Sequence, residues 1–308
     1  MVTAKHTKWG VTAQRAEEIR TGLLFVAPAL IYMIFLVGYP VVYNFILSFQ
    51  NVTAPTLAAG AERSFVGLDN YRAVFASPNM MVAIRNTLFF TIACLIFQFT
   101  IGLGFAILFN KKFALAKPLR GFLVITWMMP ITVTALLFRY MLNSEAGIID
   151  AVLMGIGLTA EPIGWLVRTD TALWGPIIAN VWIGIPFNML LLTTGLAGIP
   201  EETYESASID GASGWQKFMR ITIPLLRPAM LAVLVLGFVY TFKVFDLIFV
   251  MTGGGPVNAT EVLSTFSYRE SFTFFNFSRG AAIANVLFII LFMVGLVYLK
   301  FIKKEEAM

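Results

Sequence analysis

Six apolar runs dominate the chain, near 22–48, 84–109, 119–142, 172–196, 225–251 and 279–301. Each is long enough to cross a hydrocarbon core of about 30 Å as a helix of roughly 20 residues. The polar segments at 49–83, 143–171 and 252–278 are the longer ones and are punctuated by Gly, Pro, Asn and Ser, as connecting loops are. None is large enough to fold as an independent binding domain. The first run follows a basic segment, as in a signal peptide, but it extends over some 27 residues without a small-residue cleavage site and reads as a retained span. No parallel or inverted internal repeat is visible, which disfavours the commonest secondary-transporter architectures. The pattern predicts an all-α integral membrane protein with six transmembrane helices. It divides into an N-terminal tail at 1–21, a spanning domain at 22–301 that includes a loop at 198–224, and a C-terminal tail at 302–308.

Composition agrees, with 58% hydrophobic and 13% charged residues and a mean hydropathy of +0.81, far from a soluble domain. Lys and Arg then set the orientation. With the N-terminus in the cytoplasm, fourteen of the 22 basic residues fall on that side, including the clusters Lys111, Lys112, Lys117, Arg120 and Lys300, Lys303, Lys304. Both termini are therefore expected in the cytoplasm, and the net charge of +5 follows from topology, not from a nucleic-acid patch. Cys94 stands alone in an apolar run and His6 alone in the N-terminal tail, so no disulfide, metal cluster or His-based triad can be assembled. Pro130 in the third run, and Pro176 and Pro186 in the fourth, interrupt the backbone ladder; a water-lined pathway and a simple packing kink both accommodate such breaks.

The most informative segment lies between the fourth and fifth runs. Pro200 suits a first helical position, with Glu201 and Glu202 in the first turn, which predicts a short helix to about Asp210. Gly211 suits a left-handed helix end, and Ser213 with Gln216 forms a capping box for a second short helix. On that helix Trp215, Phe218 and Met219 share a face, leaving Lys217 and Arg220 toward water or phosphates. By its residues alone this is either an interfacial anchor or a docking surface.

The spacing from Glu205 through Ser206, Ala207, Asp210 and Gly211 to Ile221 and Pro224 resembles the EAA loop of ABC-importer permeases. Ser206 and Ile223 replace the usual Ala and Leu. The segments Ala27 to Tyr39, Gly67 to Tyr71, Trp182 to Phe187, Thr252 to Pro256, and Tyr268 with Phe272 are similar to carbohydrate-uptake permeases related to the maltose-transporter subunits, and the likeness spans nearly the full chain. The resemblance implies a type I ABC-importer permease fold in a bacterial or archaeal cytoplasmic membrane. It also implies a transport subunit and not an enzyme, with ATP and Mg on a separate ATPase and no cofactor in this chain. The implied partners are two ATPase subunits, a second permease, commonly a different related chain, an extracytoplasmic solute-binding protein and membrane lipid. No GxxxxGK[ST] phosphate loop occurs in the sequence, in keeping with a separate ATPase.

Asn180, Gly184 and Asn188 recur at helical spacing in the fourth run beside Phe187, and Gly237, Tyr240 and Thr241 in the fifth. Sugars need amide and hydroxyl partners and an aromatic face, which these stripes offer; interhelical packing by small and polar residues uses the same residue types. Counted from the loop, the stripes resemble the helical positions lining the sugar site of maltose-type permeases. Lys243 and Asp246 are expected to pair or to reach the interface, as are Arg139 and Arg279 singly. No carboxylate falls at mid-membrane, which argues against the competing reading of an ion-coupled secondary transporter. An ABC permease for a non-sugar solute shares the loop and stays open.

Overall fold

The computed structural model describes residues 13–57, 62–111 and 113–306, of which the side chains of residues 13, 14 and 301–306 are not discussed. His6, Lys5, Lys8 and Lys112 lie outside the described residues. In chain order the helices are α1 (Ala13–Met33), α2 (Tyr39–Ser48), α3 (Asp69–Ala76), α4 (Pro78–Asn110), α5 (Ala116–Met128), α6 (Ile131–Met141) and α7 (Ile148–Gly155). They continue as α8 (Trp174–Ala197), α9 (Glu201–Ile209), α10 (Gly214–Lys217), α11 (Ile223–Phe242), α12 (Asp246–Met251), α13 (Leu263–Tyr268) and α14 (Phe277–Glu306). A π turn at Ile34–Gly38 joins α1 to α2, so Arg15–Ser48 is one apolar helix whose residues from Leu23 to Leu36 are exposed.

Among the described residues five helices are long and apolar enough to cross a membrane, and there are six spans if the bent pair α5 and α6 counts as one. That pair corrects the expected third span at 119–142, because the two helices meet at 98°. Met129 precedes Pro130 and is forced into an extended conformation (φ −69°, ψ 137°), which ends α5, and α6 starts afresh after the proline. The fifth span also ends earlier than residue 251. It stops at Phe242, and Lys243 to Phe245 turn the chain into the separate helix α12. Pro176 does not interrupt the fourth span, since it lies in the first turn of α8, where no amide partner is needed; Pro186 does lie inside.

The body forms around α4 and α8. Membrane helices gain little from hydrophobic segregation, so small residues that let backbones approach are what draw them together. A Cβ at Gly102 of α4 would lie 2.6 Å from Asn188 Cβ of α8. One buried cluster joins Phe90 and Cys94 of α4 to Phe138 of α6, Ile177 of α8 and Leu247 and Ile248 of α12. A second joins Ala106 and Phe109 to Met189, Leu192, Leu226 and Val233. The third packs Val74, Met80 and Phe242 against Leu263, Phe266 and Ile283.

Segment 252–278 reads as a punctuated loop but folds back into the body. Asn86 of α4 donates through Nδ2 to the carbonyls of Ala259 and Glu261, each at 3.0 Å, and Leu263 N donates to Thr87 Oγ1 at 2.9 Å. Glu261 is buried at 1% exposure, with Arg269 Nη1 2.6 Å from Oε2 and the Thr265 hydroxyl donating to Oε1. Burial pushes the Glu261 carboxyl up from its ordinary value, while Thr265 and the Arg269 guanidinium pull it down. Gly254, at φ +89°, is pressed against this carboxylate; its Cβ would lie 2.9 Å from Oε2.

Truncating Arg269 strands that carboxylate, a loss of about 3 kcal/mol for a buried pair broken on one side. Arg269→Ala is expected to lower the thermal unfolding midpoint in detergent. Adding Glu261→Gln recovers part of the loss, because an unpaired amide costs less to bury than an unpaired charge. A midpoint for Arg269→Ala equal to the parent's would show that the pair does not hold the segment.

Candidate functional site

A cavity of about 430 Å³ opens between α8, α11 and the bend of α5 and α6. Its wall contains all seven residues of the two predicted stripes: Asn180, Gly184, Phe187 and Asn188 from α8, and Gly237, Tyr240 and Thr241 from α11. Gln98, Trp127, Ile131, Ile183, Val244, Phe245, Lys243 and Asp246 complete it. Phe187 sits between Trp127 and Tyr240, with ring centroids 6.0 Å and 6.1 Å away and the Tyr240 ring edge-on. An aromatic corner therefore faces a wall of amides.

Those amides are not all free for a ligand. Gln98 of α4 is 4% exposed and donates through Nε2 to the Asn180 carbonyl at 2.9 Å. It fits only because residue 184 has no side chain: a Cβ there would lie 2.3 Å from Gln98 Cδ. Asn188 is 2% exposed, and its Nδ2 donates to the Gly184 carbonyl at 2.8 Å, one turn back in the helix that carries Pro186. Asn180 also lines the cavity, but its Nδ2 is buried. At Gly237 a Cβ would lie 2.9 Å from Leu95 Cδ2, so that position also lets α11 approach α4.

Lys243 and Asp246 are exposed and do not pair with one another. Both line the cavity, and Lys243 Nζ lies 5.5 Å from the centre of the Tyr240 ring. The break after Phe242 turns them inward, a feature hidden by the continuous apolar run. Arg139 spends Nη1 on the Val250 carbonyl at 3.2 Å. Gln98 and Trp127 were not among the predicted positions. An amide in the middle of the apolar run 84–109 was the available signal, because polar groups in spans are costly and mark either packing or a pathway.

At the opposite end of α11 the loop folds as its sequence predicts. The helix α9 ends in a Schellman motif: Ala212 N donates to Ala207 O at 2.9 Å and Gly211 N to Ser208 O at 3.1 Å, with Gly211 at φ +76°. Ser213 and Gln216 form the capping box, with distances of 2.7 Å and 3.3 Å. The corner is tied shut by Tyr204 and Thr222, whose hydroxyls lie 2.9 Å apart, and by Lys217 Nζ, which donates to Ser208 Oγ. Lys217 thus turns inward, and only Arg220 is left exposed. The second short helix differs from expectation. A π turn at Phe218–Thr222 runs α10 straight into α11, with Ile223 N donating to Phe218 O, so Gly214–Phe242 is continuous. Glu205, Ser206 and Asp210 are exposed, as are Ile209 at 87% and Trp215 at 65%.

A helical membrane protein with a polar, aromatic-lined cavity between its spans and an ordered helical corner at one end has the form of a permease. Residues 98–302 match the family of binding-protein-dependent transport system inner membrane components, and the chain belongs to it. It is a transport subunit and not an enzyme, with the type I ABC-importer permease fold. The trehalose/maltose transport system permease protein MalF of Thermococcus litoralis is 32% identical over 284 residues, 92% of this chain and 94% of that one. The sulfoquinovosyl glycerol transport system permease protein SmoG of Agrobacterium fabrum is 31% identical over 284 residues, 92% and 91% of the two chains. A chain of the bacterial alginate ABC transporter, solved in complex with an alginate pentasaccharide-bound periplasmic protein, shares the fold with a TM-score of 0.77 at 22% identity, covering 92% of this chain and 94% of that one.

The Gly184 notch is directly testable. Gly184→Ala overpacks the α4–α8 contact and is expected to cost about 1–3 kcal/mol, read as a lower unfolding midpoint. The double variant Gly184→Ala with Gln98→Ala removes the clashing amide and recovers at least half of the loss. Equal midpoints for both variants would place the clash elsewhere.

Proposed function

We propose that this permease carries a sugar or sugar-like solute, forms half of the translocation pathway, and receives its driving force through the α9–α10 corner. The convergence of Asn180, Gly184, Phe187, Asn188, Gly237, Tyr240 and Thr241 on one cavity carries the reading. Sugar rings present hydroxyls that need donors and acceptors, and apolar faces that stack on aromatic rings; the exposed polar groups of Tyr240, Lys243 and Asp246 and the Trp127, Phe187 and Tyr240 corner suit both. Relatives named for trehalose and maltose or for sulfoquinovosyl glycerol support the solute class.

For coupling, Glu205, Ser206, Ala207, Asp210, Gly211, Ile221 and Pro224 form a corner whose exposed acidic and apolar groups suit a protein partner. That partner is a separate ATPase holding ATP and Mg. One such corner per chain requires a second permease, a different related chain, and a second ATPase to complete the pathway about a two-fold axis. A binding protein outside the membrane delivers the solute. With the basic clusters on the corner side, both termini face the cytoplasm of a bacterial or archaeal cell. Because Gly214–Phe242 is one helix, displacement of the corner on nucleotide binding moves the wall that carries Gly237, Tyr240 and Thr241.

Gly211→Val places a β-branched residue at φ +76°, a strain of about 1–3 kcal/mol that the corner relieves by opening. This variant and Glu205→Lys are expected to lose the copurifying ATPase and to cut ATP-driven uptake in proteoliposomes more than tenfold ("about tenfold" being roughly 1.4 kcal/mol). Phe187→Ala and Tyr240→Ala keep the ATPase and lose uptake of labelled trehalose. Normal ATPase recovery and uptake in both corner variants would remove the coupling role; normal uptake in both ring variants would remove the sugar site.

A further inference from the structure

We propose that Lys243 is a specificity-determining residue that selects an anionic saccharide, holding its carboxylate or sulfonate where the central cavity meets a second, aromatic groove. The inference rests on the sugar reading above and narrows it. The groove, of about 330 Å³, lies at the end of α11 away from the α9–α10 corner and is bordered by Phe245, Ser264, Ser267, Tyr268 and Phe272. Lys243 and Phe245 border both spaces, so the two adjoin at these residues.

The groove has the surface of a sugar track. Phe245, Phe249 and Tyr268 pack against one another with centroids 5.0 Å apart, and Phe272 lies 5.1 Å from Tyr268. Tyr268 and Phe272, which border the groove, are 38% and 59% exposed. Ser264 and Ser267 donate to the Val244 and Gly280 carbonyls, leaving their oxygen lone pairs to accept from ring hydroxyls.

Charge decides the class of sugar. Lys243 is the one charged residue bordering the groove. Among the described residues it has no carboxylate within ion-pair distance; Asp246 borders only the central cavity and does not pair with it. Arg269 is engaged with Glu261 at 2.6 Å, Arg139 with the Val250 carbonyl, and Arg279 lies in the field of Glu270. An exposed, unpaired ammonium ion beside the Tyr240 ring is available to an anionic group, and Asp246, which shares the central cavity, favours placing that group on the groove side. The compact charge of lysine also accepts a carboxylate or sulfonate without demanding a fixed two-pronged geometry.

The test uses the whole importer, with its partner permease and ATPases, in nanodiscs without the binding protein, so that only the membrane site is read. Equilibrium binding is measured at up to millimolar concentration for two matched pairs, trehalose with its 6-carboxylate and glucosylglycerol with its 6-sulfonate. In the parent complex the anionic member of at least one pair binds about tenfold more tightly, the size of one charge-assisted contact. Lys243→Met abolishes the difference while the neutral member keeps its affinity within about twofold, and Lys243→Arg retains it. Equal binding of both members to the parent, or a preference that survives Lys243→Met, overturns the charge selection and leaves the sugar site standing. Failure of all four compounds to bind the parent overturns the sugar site as well. Parent binding decides the matter even if Lys243→Met does not assemble.

Discussion

The close approach of α4 and α8 is the contact on which the rest of the molecule depends. In a bilayer two apolar helices gain almost nothing by hiding from lipid, so they must meet through backbone proximity and hydrogen bonds. Gly102 and Gly184 supply the proximity, one admitting Asn188 and the other admitting Gln98. The Gln98 to Asn180 bond locks the register of the pair. Its position at the cavity wall puts the contact that holds the helices together at the surface proposed for the solute.

From that pair the cavity follows. The α5–α6 bend brings Trp127 and Ile131 to one side, and α11 crosses on the other with Tyr240 and Thr241. The break after Phe242 turns Lys243, Phe245 and Asp246 back toward the space instead of letting the span run on. Asn86 secures segment 252–278 against α4 by serving its carbonyls, a task that water performs in an exposed loop and that a buried loop must assign to side chains. The corner at the other end is fastened by its own short-range bonds. Between the two ends runs one helix, Gly214–Phe242, which joins the surface proposed for ATPase docking to the wall proposed for solute.

The elements legible in the sequence are those governed by neighbours in the chain. The Schellman motif at Gly211 and the capping box at Ser213 are closed within a few residues, so residue identity and spacing suffice to read them. The membrane spans are legible for a related reason: length and apolarity are properties of a segment alone. The errors have a common origin as well. Pro130 was read as a kink within a span, whereas the extended Met129 permits a 98° turn that pays off only because α6 packs onto α8 and α12. Apolar residues 246–251 were joined to the fifth span because hydropathy does not register a helix end that has polar residues pointing into a cavity.

Segment composition and local spacing thus determined the membrane class, the number of apolar runs, the helical corner and the identity of the polar stripes, because each depends on interactions within about one helical turn. Which amides are spent and which are buried was decided only by the tertiary structure. Asn188 is consumed by the Gly184 carbonyl, the Asn180 amide nitrogen is buried, and Gln98, unremarked in its apolar run, is brought 82 positions along the chain to the Asn180 carbonyl. Likewise Lys243 comes to border two spaces only when α11 stops and α13 folds beside it. Such pairings have no counterpart in a one-dimensional pattern: they arise where two helices come close enough for a side chain of one to serve the backbone of the other.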